Sequence, residues 1–132
     1  MKNISVCSLM LVLSSVTSHN SATPPMGWSA SNLSCKETNH YNIINIADQI
    51  IFNKHVVHGY NHIVLNECWM LDQRNVNGNL MVDSMLFPKG IDALRSDLKN
   101  KGIPLGLTLS AGVKTCNHGK PGSLDHEEQD AA

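Results

Sequence analysis

The sequence has no surplus of charge of either sign and no long apolar run. Ten Lys and Arg stand against eleven Asp and Glu in 132 residues, a formal net charge of −1, so no positive field exists to neutralise a phosphate backbone or an anionic membrane surface. Nucleic acid is therefore excluded as an expected partner. Charged residues make up only 16% of the chain, yet the hydrophobic share of 42% is ordinary for a folded protein and argues against wholesale disorder. The longest uncharged apolar stretch, Ile4 to Val16, is about 13 residues, short of the ~20 that a bilayer-spanning helix needs. A membrane partner is likewise not expected.

What the amino terminus does contain is a leader pattern. Lys2 supplies a small positive region, Ile4 to Val16 the apolar segment, and Val16-Thr17-Ser18 the small residues that a signal peptidase reads. Residues 1–18 are thus expected to be a signal peptide cleaved at or shortly after Ser18, and the protein to be secreted. The compartment decides what the four cysteines mean, because the same count reads as disulfides outside the cell and as thiols or metal ligands inside it. Cys7 departs with the leader, leaving Cys35, Cys68 and Cys116. An odd number outside the cell implies an intermolecular bridge, a free thiol, or a lost partner.

Beyond the leader, strand-like and helix-like pieces alternate. After Thr23-Pro24-Pro25 and the short Met26-Gly27-Trp28 segment, apolar residues at Ile43, Ile46, Ala47, Ile50 and Ile51 recur at helical spacing, predicting a helix over Glu37 to Lys54. Gly59 breaks that pattern. Tyr60 to Leu65 then reads as a short strand, apolar on both faces in the manner of parallel sheets. Glu67 to Pro88 reads as a loop around the turn signal in Asn75-Val76-Asn77-Gly78-Asn79. A second helix is predicted from Gly90 to Lys101, with Ile91, Leu94 and Leu98 on one face and Gly102 where a left-handed residue closes a helix. Ile103 to Leu109 is the next strand. Such alternation is the pattern of β/α crossovers and a parallel sheet. A last helix is expected from Ser123, with Asp125 and Glu128 as a capping pair, so the 132 residues close on an unfinished β/α unit.

Seven separated segments together resemble one family. They are Thr23-Pro24-Pro25-Met26-Gly27-Trp28, Leu65-Asn66-Glu67-Cys68-Trp69, Phe87-Pro88-Lys89-Gly90-Ile91, Lys101-Gly102-Ile103-Pro104-Leu105-Gly106, Ser110-Ala111-Gly112, Thr115-Cys116, and Pro121-Gly122-Ser123 through Ala131. In order and spacing they resemble the amino-terminal part of the α-galactosidases (melibiases) of glycoside hydrolase family 27, the fungal members above all. The resemblance implies an α/β fold of the eight-stranded β/α (TIM) barrel type. Residues 23–132 would supply its first three strands and intervening helices, and the whole barrel takes roughly 250 residues. It also implies a secreted retaining glycosidase that removes terminal α-linked galactose without a metal or organic cofactor, using two carboxyl groups about 5 Å apart. In the family the nucleophile is the aspartate of a Lys-Tyr-Asp-Asn-Cys motif on the fourth strand, and the acid/base follows later. Neither motif occurs in these 132 residues, so no residue here is assigned a catalytic role.

The same resemblance marks candidate sugar-contacting positions, several of them altered. Two consecutive aspartates usually precede the Cys-Trp pair and hold galactose hydroxyls; here the positions carry Asn66 and Glu67. Asn66 keeps hydrogen-bonding capacity without charge, and Glu67 extends its carboxylate by one methylene. Ser31 stands where a pocket-wall tryptophan is usual, and Thr108 where a third-strand tyrosine is usual. Both aromatic faces are missing, and sugar sites use such faces for apolar contact. Trp28 is retained. Weakened binding of α-galactosides is therefore expected. The resemblance further implies a Cys35–Cys68 disulfide and an unpaired Cys116, whose family partner lies in the absent motif.

Other clusters are read as structural. His55, His58 and His62 fall at a helix end and a strand entry, and His118, His126, Glu127 and Glu128 at a solvated helix start, so no metal site is expected. Glu67 and Asp72 have no enforced geometry as a carboxylate pair. Asn32-Leu33-Ser34 is an N-glycosylation sequon. The function expected is that of a truncated, catalytically silent α-galactosidase relative. The alternatives are a piece of a working glycosidase and a secreted, non-enzymatic interaction module on a partial barrel.

Overall fold

The computed structural model describes residues 24–116 and 118–131. The expected leader, with Cys7, lies outside them. Three short parallel strands form one sheet in the order β1 (Trp28–Ser29), β2 (Ile63–Leu65) and β3 (Leu105–Leu107). Trp28 pairs with Ile63, and Ile63, Val64 and Leu65 pair with Leu105, Gly106 and Leu107. Helix α1 (His40–Phe52) connects the first two strands and α2 (Gly90–Asn100) the last two. This is the crossover architecture that parallel neighbours require.

Helix α1 begins three residues later than the apolar periodicity predicts. Asn39 is the cap, its Oδ1 accepting from Asn42 N at 3.0 Å, while Glu37 sits in the preceding turn. There the Glu37 carboxylate accepts from the Ser34 hydroxyl at 2.7 Å and from Ser34 N at 2.9 Å. Those two hydrogen bonds hold its pKa below the ordinary carboxylate value. Local side-chain to backbone bonding thus outcompetes another helical turn. At the other end of α2, Gly102 adopts φ +75°, as the closing position demands, and its N–H donates to Lys99 O at 2.9 Å.

The core lies between the sheet and the two helices. Ile43, Ala47 and Ile50 of α1 and Leu94 and Leu98 of α2 are buried against Ile63, Leu65, Ile103, Phe87 and Met70. The expected stripe on α1 is narrower in the folded chain, since Ile51 is exposed and Ile46 only half-buried. Two contacts tie the helices together outside the core: a hydrogen bond between His40 Nε2 and Asp97 Oδ2 at 3.0 Å and an ion pair between Lys101 Nζ, at the end of α2, and Asp48 Oδ1 at 2.5 Å.

The carboxyl-terminal segment departs most from expectation. The last helix, α3, is Glu127–Asp130, and the capping pair does not form. Residues 123 and 124 are held instead by backbone bonds to the loop after β3, from Ser123 N to Ser110 O at 2.7 Å and from Leu124 N to Gly112 O at 3.3 Å. Asp125 is then left-handed, at φ 65°. A chain bound to another strand's loop cannot also wind into a helix at Ser123. No described helix is long and apolar enough to cross a membrane.

Candidate functional site

In parallel β/α folds the functional face lies at the carboxyl ends of the strands, where the βα loops gather. At that end of β1, a 3-10 turn over Ala30–Asn32 carries Ser31. Its hydroxyl lies 2.7 Å from the Ser29 hydroxyl, and both residues are exposed. Asn32 is exposed on the same turn. After β2 a 3-10 turn over Glu67–Trp69 follows, capped by Asn66. After β3 comes Thr108, whose N–H donates to Leu65 O at 2.9 Å. Thr108 is exposed.

These loops are bound to one another. Asn66 is buried and fully engaged: Nδ2 donates to Ala30 O at 3.1 Å and to Leu33 O at 3.4 Å, and Oδ1 accepts from Cys68 N at 3.1 Å. Trp69 Nε1 donates to Thr108 O at 3.4 Å. A disulfide joins Cys35 to Cys68, closing a separation of 33 residues. Asn66, Glu67, Ser31 and Thr108 thus come to one end of the sheet. Trp28 lies elsewhere, lining a concavity of about 400 Å³ with Gly27, Ile50, His55 and Tyr60, residues that precede or flank the amino ends of the strands.

Glu67 is the distinctive group. It is only 8% exposed, and none of the side-chain hydrogen bonds or ion pairs among the described residues uses its carboxylate, although both neighbours in sequence are tied down. A carboxylate on a largely buried residue, without a protein donor among the described residues, is an available acceptor for a hydroxyl-rich ligand. Asn66 is the opposite case, since its amide is already satisfied on both sides by the protein.

A polar brace around this face was not legible in the sequence. Arg74 forms a two-pronged pair with Asp130, at 2.7 and 2.6 Å, and also donates to Gly78 O at 2.7 Å and Gly122 O at 2.8 Å. Their side chains are only 12% and 3% exposed. The hydrogen bonds from Arg74 hold the Asp130 carboxyl below its ordinary pKa against the opposing effect of burial. Nearby, Lys120 Nζ contacts Asp72 Oδ1 at 2.6 Å and lowers the Asp72 pKa. Asp72 is therefore a partner of Lys120. Two of the three partners of Arg74, Gly122 and Asp130, are 48 and 56 residues distant, beyond any local spacing rule.

His55, His58 and His62 do not form a ligand cluster. The one group of three or more potential metal-ligating side chains among the described residues is Cys35, Cys68 and His118, whose ligand atoms lie within 4.8 Å of one another. Cys116 is free and exposed.

A family model for melibiases, described as alpha galactosidase A, matches residues 23–132. The α-galactosidase of Cyamopsis tetragonoloba is 39% identical over 109 residues, covering 83% of this chain and 26% of that protein. Alpha-galactosidase A of Aspergillus niger is also 39% identical over 109 residues, covering 83% and 20%. The solved Saccharomyces cerevisiae α-galactosidase superposes with a TM-score of 0.77 at 36% identity, over 83% of this chain and 24% of its own. A second structure of the yeast enzyme, with raffinose, gives 0.76. The chain thus spans a fifth to a quarter of the length of these relatives. Its parallel α/β architecture is similar to the amino-terminal portion of their TIM barrel, and by sequence and fold the chain belongs to the α-galactosidase (melibiase) family.

Proposed function

We propose that residues 23–132 are the first three β/α units of a secreted α-galactosidase-type barrel, whose substrate class is terminal α-galactosides. The sugar would meet the chain at the carboxyl ends of β1, β2 and β3. The observation that carries this reading is Glu67: a residue only 8% exposed overall, whose carboxylate is unpaired among the described residues, at the end of β2 where such barrels bind their ligands. The raffinose bound by the yeast neighbour is the corresponding sugar chemistry in a relative. With Asn66 engaged by backbone, and Ser31 and Thr108 offering hydroxyls in place of aromatic faces, contact with a galactosyl ring falls mainly on Glu67, and affinity is low.

These 132 residues supply no nucleophile or general acid at family positions, and their role by themselves is binding without turnover. Hydrolysis of an aryl α-galactoside by the purified chain should equal the blank. Saturation-transfer NMR with methyl α-galactoside should show weak contact that Glu67→Gln diminishes and Ser31→Ala leaves nearly intact. Turnover abolished by Glu67→Gln would overturn the silent reading, and ligand contact indifferent to Glu67→Gln would overturn the assignment of the site.

A further inference from the structure

We propose that Asn32 accepts an N-linked oligosaccharide in a eukaryotic secretory pathway, and that this glycan stands at the rim of the sugar-facing end of the sheet and narrows access to Glu67. The inference rests on the reading above that the chain is secreted and meets its sugar there. Asn32-Leu33-Ser34 is the acceptor pattern, and no other asparagine after residue 18 is followed by it. The fold leaves this segment open to modification. Asn32 and Ser34 are exposed, whereas Leu33 between them is partly buried and packs against the core. The turn that carries Asn32 is held by other groups: the Ser29 and Ser31 hydroxyls meet at 2.7 Å, and Leu33 N donates to Ala30 O at 2.9 Å. The Asn32 amide enters no side-chain hydrogen bond among the described residues, so a sugar on its Nδ2 displaces no bond of the fold.

The donor is an oligosaccharide carried on a lipid pyrophosphate. Asn32 Nδ2 forms a bond to the anomeric carbon as the bond from that carbon to the pyrophosphate oxygen breaks; the lipid pyrophosphate leaves with the electron pair, and the amide gives up one proton. In the folded chain the Ser34 hydroxyl is engaged by Glu37, so transfer belongs to the chain as it enters, before folding. Cys68 follows Cys35 by 33 residues, so a chain entering amino end first presents Asn32 before the neighbouring bridge can close. The place of the glycan follows from Asn66. Its amide donates to Ala30 O at 3.1 Å and Leu33 O at 3.4 Å, which clamps the turn bearing Asn32 onto the residue immediately before Glu67. A bulky, hydrated oligosaccharide rooted between those two carbonyls covers the approach to that end of β2.

The test is expression of the full chain, with its own leader, in a yeast secretory host, followed by intact-mass measurement and peptide mapping of the product. The secreted chain should be heavier than its polypeptide, and peptide:N-glycosidase should remove the excess and leave aspartate at position 32. Asn32→Gln should abolish the added mass, whereas Ser34→Thr, which keeps the hydroxyl, should retain it. A secreted chain without added mass, or added mass that survives Asn32→Gln, would overturn the acceptor assignment while leaving the secretory reading intact. A chain kept in the cytosol with its leader uncut would overturn the secretory reading and this inference with it. Saturation transfer to methyl α-galactoside should rise several-fold when the glycan is removed enzymatically. Equal transfer before and after removal would overturn the narrowing; transfer absent in both states would overturn the narrowing together with the site assigned to Glu67, and the mass alone decides the acceptor.

Discussion

The side-chain amide of Asn66 donates to the main-chain carbonyl of Ala30 at 3.1 Å, fastening the loop after β1 to the end of β2. A second donation goes to Leu33 O at 3.4 Å, and the amide oxygen caps Cys68 N. An aspartate, usual in the family at this position, has no donor for either carbonyl when ionised. Asn66→Asp should therefore cost about 2–3 kcal/mol at neutral pH, the scale for a buried carboxylate oxygen facing unpaired acceptors. Urea unfolding measures it. Because that penalty raises the carboxyl's folded-state pKa above its ordinary value, the deficit relative to the parent chain should shrink as pH falls from neutral toward about 4, where a protonated carboxyl regains one donor; a deficit that is independent of pH would refute the donor argument.

Arg74 and Asp130 lock the loop after β2 to α3. Removing one member of a buried pair leaves the other charge without compensation, so Arg74→Met should destabilise the chain by about 3 kcal/mol. The pH dependence has a definite sign. Asp130 has its pKa lowered in the folded chain, chiefly by the Arg74 hydrogen bonds, so its contribution is present above the ordinary carboxylate pKa of about 3.9 and is lost as pH falls through the lower folded value. Acid unfolding of the parent chain should therefore steepen below pH 4, and the Arg74→Met chain should show a weaker dependence there.

What the sequence disclosed about this fold was periodic or local. Leu94 and Leu98 on one face of a stretch closed by Gly102 predict α2 to within a residue, because period and stop signal agree. The boundaries of α1 and α3 were missed where long-range or side-chain bonds intervene: Glu37 turns back on Ser34, and Ser123 binds the loop after β3. At the candidate site, the family resemblance identified positions 66 and 67 as a pair, but not that one amide is consumed by carbonyls 33 and 36 residues away while the next side chain has no partner among the described residues. His118 stands beside the Cys35–Cys68 bridge for the same reason, since its neighbours there come from the other two βα loops.

Gly122 packs directly against the loop after β3. A Cβ placed on it would lie 1.8 Å from Gly112 O. Its own backbone cannot retreat, since its N–H donates to Val113 O at 2.8 Å and its carbonyl accepts from Arg74. Gly122→Ala should therefore cost about 3 kcal/mol, the upper end for overpacking, and should raise amide exchange at Val113, Ser123 and Leu124 before exchange in α1 or α2. Unchanged stability would show that this loop yields without penalty.

Lys54 offers the opposite sign. It follows α1 at φ 57° and ψ 24°, in the left-handed region, and its N–H donates to Ile51 O at 2.9 Å. A side chain with a Cβ is strained there by roughly 1–2 kcal/mol, whereas glycine is not, although glycine gives back about 0.5–1 kcal/mol in unfolded-state entropy. No side-chain hydrogen bond caps at this position, so nothing else is lost. Lys54→Gly should raise stability by about 0.5 kcal/mol, and Lys54→Ala, which keeps the Cβ, should not. Thermal unfolding of the three chains side by side checks both, and a Lys54→Gly chain that melts below the parent would show that the entropy term dominates at this turn.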